Sequence, residues 1–272
     1  PGIFQQMMLR LTIPVFLLLC SLCSVHAQED SVLRFRRLIP GEYSYFNVDN
    51  LGNIYLLNSG NQLKKISTRG DTAGVFNEVR RYGKLFYIDA TNPLKLLLYY
   101  RNFSTVVVLD RFLNLRNVIN LRQQNIFNVK SIATSYDGNI WVFDEGDAKL
   151  KKVDDNGTVL TETNDFRMLF DSIPSPESIT DQEGYVTLYD PQKGFYVFDI
   201  YGAFKNRVPF RGWKYAEPVN QDLYGFSDER LYQYVTARLD LREYPLPPVF
   251  REALQVKVAN GQVYLLNKTG VL

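Results

Sequence analysis

Two cysteines and one histidine are all that this 272-residue sequence offers for thiolate or imidazole chemistry: Cys20, Cys23 and His26. All three precede Gln28, so the remaining chain has no imidazole to take a nucleophile's proton near neutral pH, which excludes Ser-His-Asp and Cys-His catalysis there. Zinc, copper and haem sites lose their usual ligands for the same reason, and only oxygen-donor sites for Ca²⁺ or Mg²⁺ stay open. The oxygen donors sit in Asp137-Gly138, Asp144-Glu145-Gly146-Asp147 and Asp154-Asp155-Asn156-Gly157. Asp-Gly and Asn-Gly are first of all tight-turn dipeptides, and the last run lacks the full spaced ligand series and distal Glu of a calcium-binding EF-hand loop. We therefore read them as turns and expect no metal or other cofactor. A second chemistry comes from arginine beside flat rings, as in Arg80-Arg81-Tyr82 and Arg211-Gly212-Trp213-Lys214-Tyr215. Forked guanidinium donors hold carboxylate, phosphate or sugar groups while rings cover the rest of a ligand. The alternative is that these residues solvate long loops, with Trp213 covering an edge of the fold.

The elements that would position these groups start after a targeting signal. Arg10, the apolar run Leu11 to Leu19 and the small-residue positions of Ser24-Val25-His26-Ala27 read as the three parts of a signal peptide. Residues 1–27 are expected to be removed after Ala27, with translation opening at Met7 or Met8. The apolar run is short against the roughly 20 residues that span a bilayer, so no membrane insertion is expected after cleavage. Lipid attachment at Cys20 or Cys23 is disfavoured because Leu19 and Leu22 precede them. The chain is expected to be exported, to the periplasm or outside the cell. The absence of cystine favours a bacterial envelope over a eukaryotic secretory route. Lys+Arg 31 against Asp+Glu 29 gives a net charge of +2, and no basic-aromatic strip or phosphate-binding glycine loop is present, so nucleic acid is not an expected partner.

The exported part repeats itself. Phe46-Asn-Val-Asp-Asn-Leu-Gly-Asn-Ile-Tyr-Leu-Leu-Asn58 and Ile132-Ala-Thr-Ser-Tyr-Asp-Gly-Asn-Ile-Trp-Val-Phe-Asp144 are the clearest copies, and Leu-Lys-Lys follows each. Further copies run from Ile179 to Asp190 and from Val256 to Asn267, with weaker ones after Leu85 and Pro218. With Ile54, Leu96, Ile140, Val186, Tyr224 and Val263 as equivalent positions, the spacings are 42, 44, 46, 38 and 39 residues. Alternation with period two and no sustained 3.6-residue period make each copy a set of strands, and about 40 residues is the span of one four-stranded propeller blade.

Through the phrase Asp-x-x-Gly-Asn-Ile-Tyr/Trp-x-x-Asn/Asp and the Lys-Lys-Ile/Val that follows, the copies resemble those of NHL-repeat and TolB-like six-bladed β-propellers. The expected fold is all-β: residues 28–272 as one six-bladed β-propeller, with blades near 41–79, 84–121, 129–166, 177–210, 215–247 and 253–272. Only nine residues follow Val263. The last blade is thus incomplete, and strand 31–39, which alternates apolar and basic residues, is expected to pair beside it and close the ring. The resemblance also gathers the loops leading into each blade and those joining second to third strands on one face. That makes Arg80, Tyr82, Arg101, Arg122, Arg211, Trp213 and Tyr215 the candidate ligand- or partner-binding residues. Asp49, Asp89, Asp137 and Asp181 recur once per blade and are read as structural turn residues. The function expected from this pattern is a non-enzymatic binding or scaffold module for a protein, peptide or glycan. The alternative is a calcium-dependent hydrolase or lactonase, in which a metal polarises a carbonyl and a carboxylate activates water.

Overall fold

The structure is a computed structural model that describes residues 33–272. The expected targeting signal, residues 1–27, and Ser31 and Val32 of the expected closing strand lie outside the described residues. From Phe35 to Leu272 the chain forms one compact unit. Six four-stranded antiparallel sheets follow one another along the chain. After β1 (Ile39–Pro40), blade 1 holds β2 (Tyr43–Val48), β3 (Ile54–Asn58), β4 (Leu63–Ile66) and β5 (Thr72–Phe76). Blade 2 holds β6 (Tyr87–Asn92), β7 (Lys95–Tyr100), β8 (Thr105–Asp110) and β9 (Leu115–Asn120), and blade 3 β10 (Val129–Thr134), β11 (Ile140–Asp144), β12 (Lys149–Val153) and β13 (Val159–Glu162). Blade 4 holds β14 (Ser178–Gln182), β15 (Tyr185–Asp190), β16 (Gly194–Asp199) and β17 (Phe204–Val208), and blade 5 β18 (Lys214–Val219), β19 (Asp222–Phe226), β20 (Arg230–Val235) and β21 (Asp240–Pro245). A single turn of helix, α1 (Phe166–Leu169), lies between blades 3 and 4.

The sixth sheet contains β22 (Gln255–Ala259), β23 (Gln262–Asn267), β24 (Gly270–Val271) and, as its outer strand, β1. Ile39 pairs with Val271 and Pro40 with Gly270. The ring is therefore closed between the two ends of the chain, as expected, but the closing strand is two residues long. Residues 33–38 lie outside the strands, although they continue the alternation that suggested one.

Middle strands are buried on both sides because each sheet packs face to face on its neighbours. Every residue of β7 and β11 is buried, and their runs Lys-Leu-Leu-Leu-Tyr-Tyr and Ile-Trp-Val-Phe-Asp are correspondingly apolar. The recurring Asp-x-x-x-Asn/Thr/Ala turns share one device. Asp49, Asp110, Asp154 and Asp199 each use one carboxylate oxygen to accept from the backbone N–H groups two and four residues on, at 2.8–3.0 Å. The short acceptor satisfies turn donors that no strand can reach, which is why aspartate recurs there.

A polar link crosses every seam of the ring. Asn47 donates to the Ile88 carbonyl, Asp89 accepts from the Thr134 N–H, and Asp181 accepts from Ser135, Tyr136 and Trp141. Tyr189 donates to the Trp213 carbonyl at 2.9 Å, and Glu217 accepts from the Val258 N–H at 3.1 Å. Gln255 then pairs with both backbone groups of Phe46, returning to blade 1.

Candidate functional site

Strand alternation sends the loops between blades and the turns between second and third strands to the same end of every sheet, here called the upper face. The sequence candidates divide there into two groups. Over blades 2 and 3, Tyr82 lies 5.5 Å from the Tyr100 ring, centroid to centroid, with the Arg81 guanidinium 5.7 Å above it. Arg101 follows β7, sits 3.4 Å above the Phe86 ring, and donates to the Lys130 carbonyl at 2.6 Å. Its Nε is buried without a partner, and burial pulls its pKa below the ordinary arginine value against the attraction of Tyr99, Glu145 and Glu177. Arg122 is exposed and donates to the Asn102 carbonyl at 2.9 Å. The side chain of Arg80 is outside the described residues.

Three exposed rings accompany these cations: Phe86 at 40%, Phe103 at 55% and Phe127 at 62% exposure. They sit on adjoining loops. The Phe103 ring approaches Gly83, where a Cβ would be 2.7 Å away, and Ser104 donates to the Phe127 carbonyl. Loops 77–86, 101–104 and 121–130 hold the basic residues Arg80, Arg81, Lys84, Arg101, Arg122 and Lys130 against one acid, Glu78, which pairs with Arg81 at 3.0 Å.

The second group lies around blade 4. A cavity of about 440 Å³ is lined by Leu169 to Ser172, Gln192, Lys193, Tyr196, Arg207 and Arg211. Arg207 lies 5.1 Å above the Tyr196 ring and donates to the Lys193 carbonyl through Nε at 3.3 Å and Nη2 at 3.0 Å. Lys193 donates through its ammonium to the Ile173 carbonyl. Arg211 forms no hydrogen bond or ion pair among the described residues. Burial raises the Tyr196 pKa while Arg207 opposes that rise, so the phenol stays neutral beside the two guanidinium groups.

Trp213 and Tyr215 are placed differently. Trp213 is buried and stacks between Phe210, 4.7 Å away, and Tyr232, 5.3 Å away, while its carbonyl receives Tyr189. It fills the seam between blades 4 and 5. Tyr215, at φ +51° in an irregular stretch of β18, donates to the Leu254 carbonyl and braces blade 5 against blade 6.

The acidic turns are occupied by the protein itself. Lys151 bridges Asp144 and Asp147 and holds the Asp147 carboxyl below the usual range, and Lys152 bonds Asp137 at 3.0 Å. Asp155 pairs with Lys95 of the neighbouring blade. Among the described residues no three Asp, Glu, His or Cys side chains converge as a metal site would require.

Sequence reading did not single out Arg207, Tyr196 or Phe170. Pairing counted from the Asp199 turn would set Tyr196 opposite Asn206, and only the register shift between Val197 and Phe198 brings Arg207 opposite it. Phe170 and Asp171 reach the cavity through the irregular connection after α1, for which no periodic pattern speaks.

No family profile matches the sequence, and a search of curated proteins finds no match. Solved structures do resemble the ring. The virginiamycin B lyase of Staphylococcus aureus, in a catalytically inactive variant with a histidine replaced by alanine and with quinupristin, is 12% identical with a TM-score of 0.56, over 88% of this chain and 80% of the lyase. The Pan2 WD40 domain of Neurospora crassa is 12% identical with a TM-score of 0.57, over 84% of this chain and 73% of that domain. The extracellular domain of a hybrid two component system from B. thetaiotaomicron is 15% identical with a TM-score of 0.55, over 88% of this chain and 34% of that domain. At these identities the likeness is one of fold.

Proposed function

We propose that the chain is an exported, non-enzymatic β-propeller that binds an acidic, partly apolar peptide segment of a partner protein over blades 2 and 3. The observation that carries this reading is the run of exposed Phe86, Phe103 and Phe127 beside Arg81, Lys84, Arg101, Arg122 and Lys130, with Glu78 already paired to Arg81 and Glu145 and Glu177 the acids that attract Arg101. Exposed aromatic and arginine side chains supply the anchors of protein interfaces, and complementary charge steers the encounter. We read the ring as of the NHL-repeat or TolB-like type on the strength of its repeat phrase. The lyase of similar fold is described as inactive without a particular histidine, and the one histidine of this chain, His26, precedes the first described residue. The turn carboxylates are engaged by lysines and backbone N–H groups, which speaks against the calcium-dependent hydrolase.

The test is fluorescence anisotropy with a labelled peptide of alternating glutamate and leucine. Binding is expected at a Kd of about 100 μM or tighter in low salt, weakening as salt is raised. Arg122→Glu with Phe103→Ser is expected to weaken it about tenfold or more. An unchanged Kd in that double variant, or equal binding of oligothymidylate, would overturn the assignment.

A further inference from the structure

The cavity on blade 4 is separate from the aromatic surface over blades 2 and 3, and the peptide reading makes no use of it. Three cations face it, Lys193, Arg207 and Arg211, against one acid, Asp171. None of the three pairs with a carboxylate among the described residues, and Lys193 is turned to the Ile173 carbonyl. Arg207 is held ready: the Lys193 carbonyl takes two of its N–H groups and the Tyr196 ring lies beneath it, which leaves Nη1 unused. A guanidinium fixed before the ligand arrives loses little freedom on binding, and a second one, Arg211, stands free at the rim.

The remaining lining narrows the ligand. Asp171 disfavours a second anionic group but accepts from hydroxyl groups, and Ser172 and Gln192 both donate and accept. The volume, about 440 Å³, lies in the range of about 300–1,000 Å³ usual for small-molecule sites. One anionic group set among several hydroxyls, on a body of that size, meets all of these groups.

We propose that this pocket binds an acidic monosaccharide, a sugar bearing one carboxylate or one phosphate. The anion would sit between Arg207 and Arg211, and the hydroxyls would face Asp171, Ser172 and Gln192. Calorimetric titration of the full chain tests it with glucuronate, glucose 6-phosphate, glucose and inorganic phosphate at matched ionic strength. At least one acidic sugar is expected to bind with a Kd of about 1 mM or tighter, and glucose about tenfold or more weaker. Which acidic sugar binds better identifies carboxylate or phosphate as the anion. Arg211→Ala, at an exposed residue without hydrogen bonds, is expected to keep the wild-type melting temperature and lose about tenfold in affinity. Arg122→Glu is expected to leave sugar binding unchanged, so this site and the peptide surface fail or stand separately. Failure of both acidic sugars to bind, inorganic phosphate binding as tightly as they do, or full affinity in Arg211→Ala would each overturn the proposal.

Discussion

At the scale of single residues, the polar groups that could be read as chemistry mostly turn out to hold the ring together. Asp181 is the clearest case: one carboxylate oxygen of this buried side chain accepts from Ser135 Oγ at 2.9 Å, Tyr136 N at 3.1 Å and Trp141 Nε1 at 2.8 Å, all from the preceding blade. Asp181→Ala would strand the indole N–H and a backbone N–H in the seam. Buried donors without acceptors cost about 1–3 kcal/mol each, so a loss of about 3 kcal/mol is expected in urea denaturation. A loss below about 1 kcal/mol would show that the seam does not depend on this acceptor. Sequence alone marked Asp181 as a once-per-blade structural acid, and could not mark it as a bond between blades, because its three donors lie 40 to 46 residues upstream. Trp213 shows the opposite. Next to Arg211 it has the look of a ligand-stacking ring, and only the packing of Phe210 and Tyr232 on its two faces shows that no face is left for a ligand.

At the scale of the element, the strands and their repeat were legible because burial on both faces leaves a strong apolar mark on each second strand. Ile54, Leu96, Ile140, Val186, Tyr224 and Val263 all lie in second strands. Irregular segments left no such mark. The connection from α1 to β14, which supplies part of the blade 4 cavity, is shaped by contacts such as the packing of Phe170 against Tyr196 at 4.9 Å rather than by a local period. Closure was legible in kind but not in length. Strand β1 shrinks to two residues because β24 offers only Gly270 and Val271 as partners. Gly270 is indispensable there: at φ +146° its Cβ would lie 2.1 Å from the Ile39 carbonyl oxygen. Gly184, also at positive φ but with no atom within 4 Å of a Cβ, provides the comparison. Gly184→Ala is expected to cost about 1 kcal/mol, the conformational part alone, and Gly270→Ala about 3 kcal/mol or more through loss of the closing pair. Hydrogen exchange should then rise at Gly41, whose N–H bonds the Thr269 carbonyl. Equal costs in the two variants would mean that closure contributes little.

At the scale of the whole molecule, stability has to come from six seams and their cores, since the described chain contains no cysteine to cross-link it. Its acids serve the fold as well, paired with Lys151 and Lys152 in blade 3 and with backbone N–H groups at Asp49, Asp110, Asp154 and Asp199. Millimolar Ca²⁺ is therefore expected to shift the melting temperature by less than about 1 °C relative to EDTA, because a ligand without a folded-state site cannot stabilise. A rise of several degrees would reveal a calcium site. The seam between β1 and β24 also fixes how the ring meets mechanical load. The strands run antiparallel, so Ile39 and Val271 lie side by side where the two chain segments leave the sheet. A pull between Phe35 and Leu272 therefore peels these few hydrogen bonds in sequence instead of shearing them together, and the ring opens at its clasp while the other five blades are still whole.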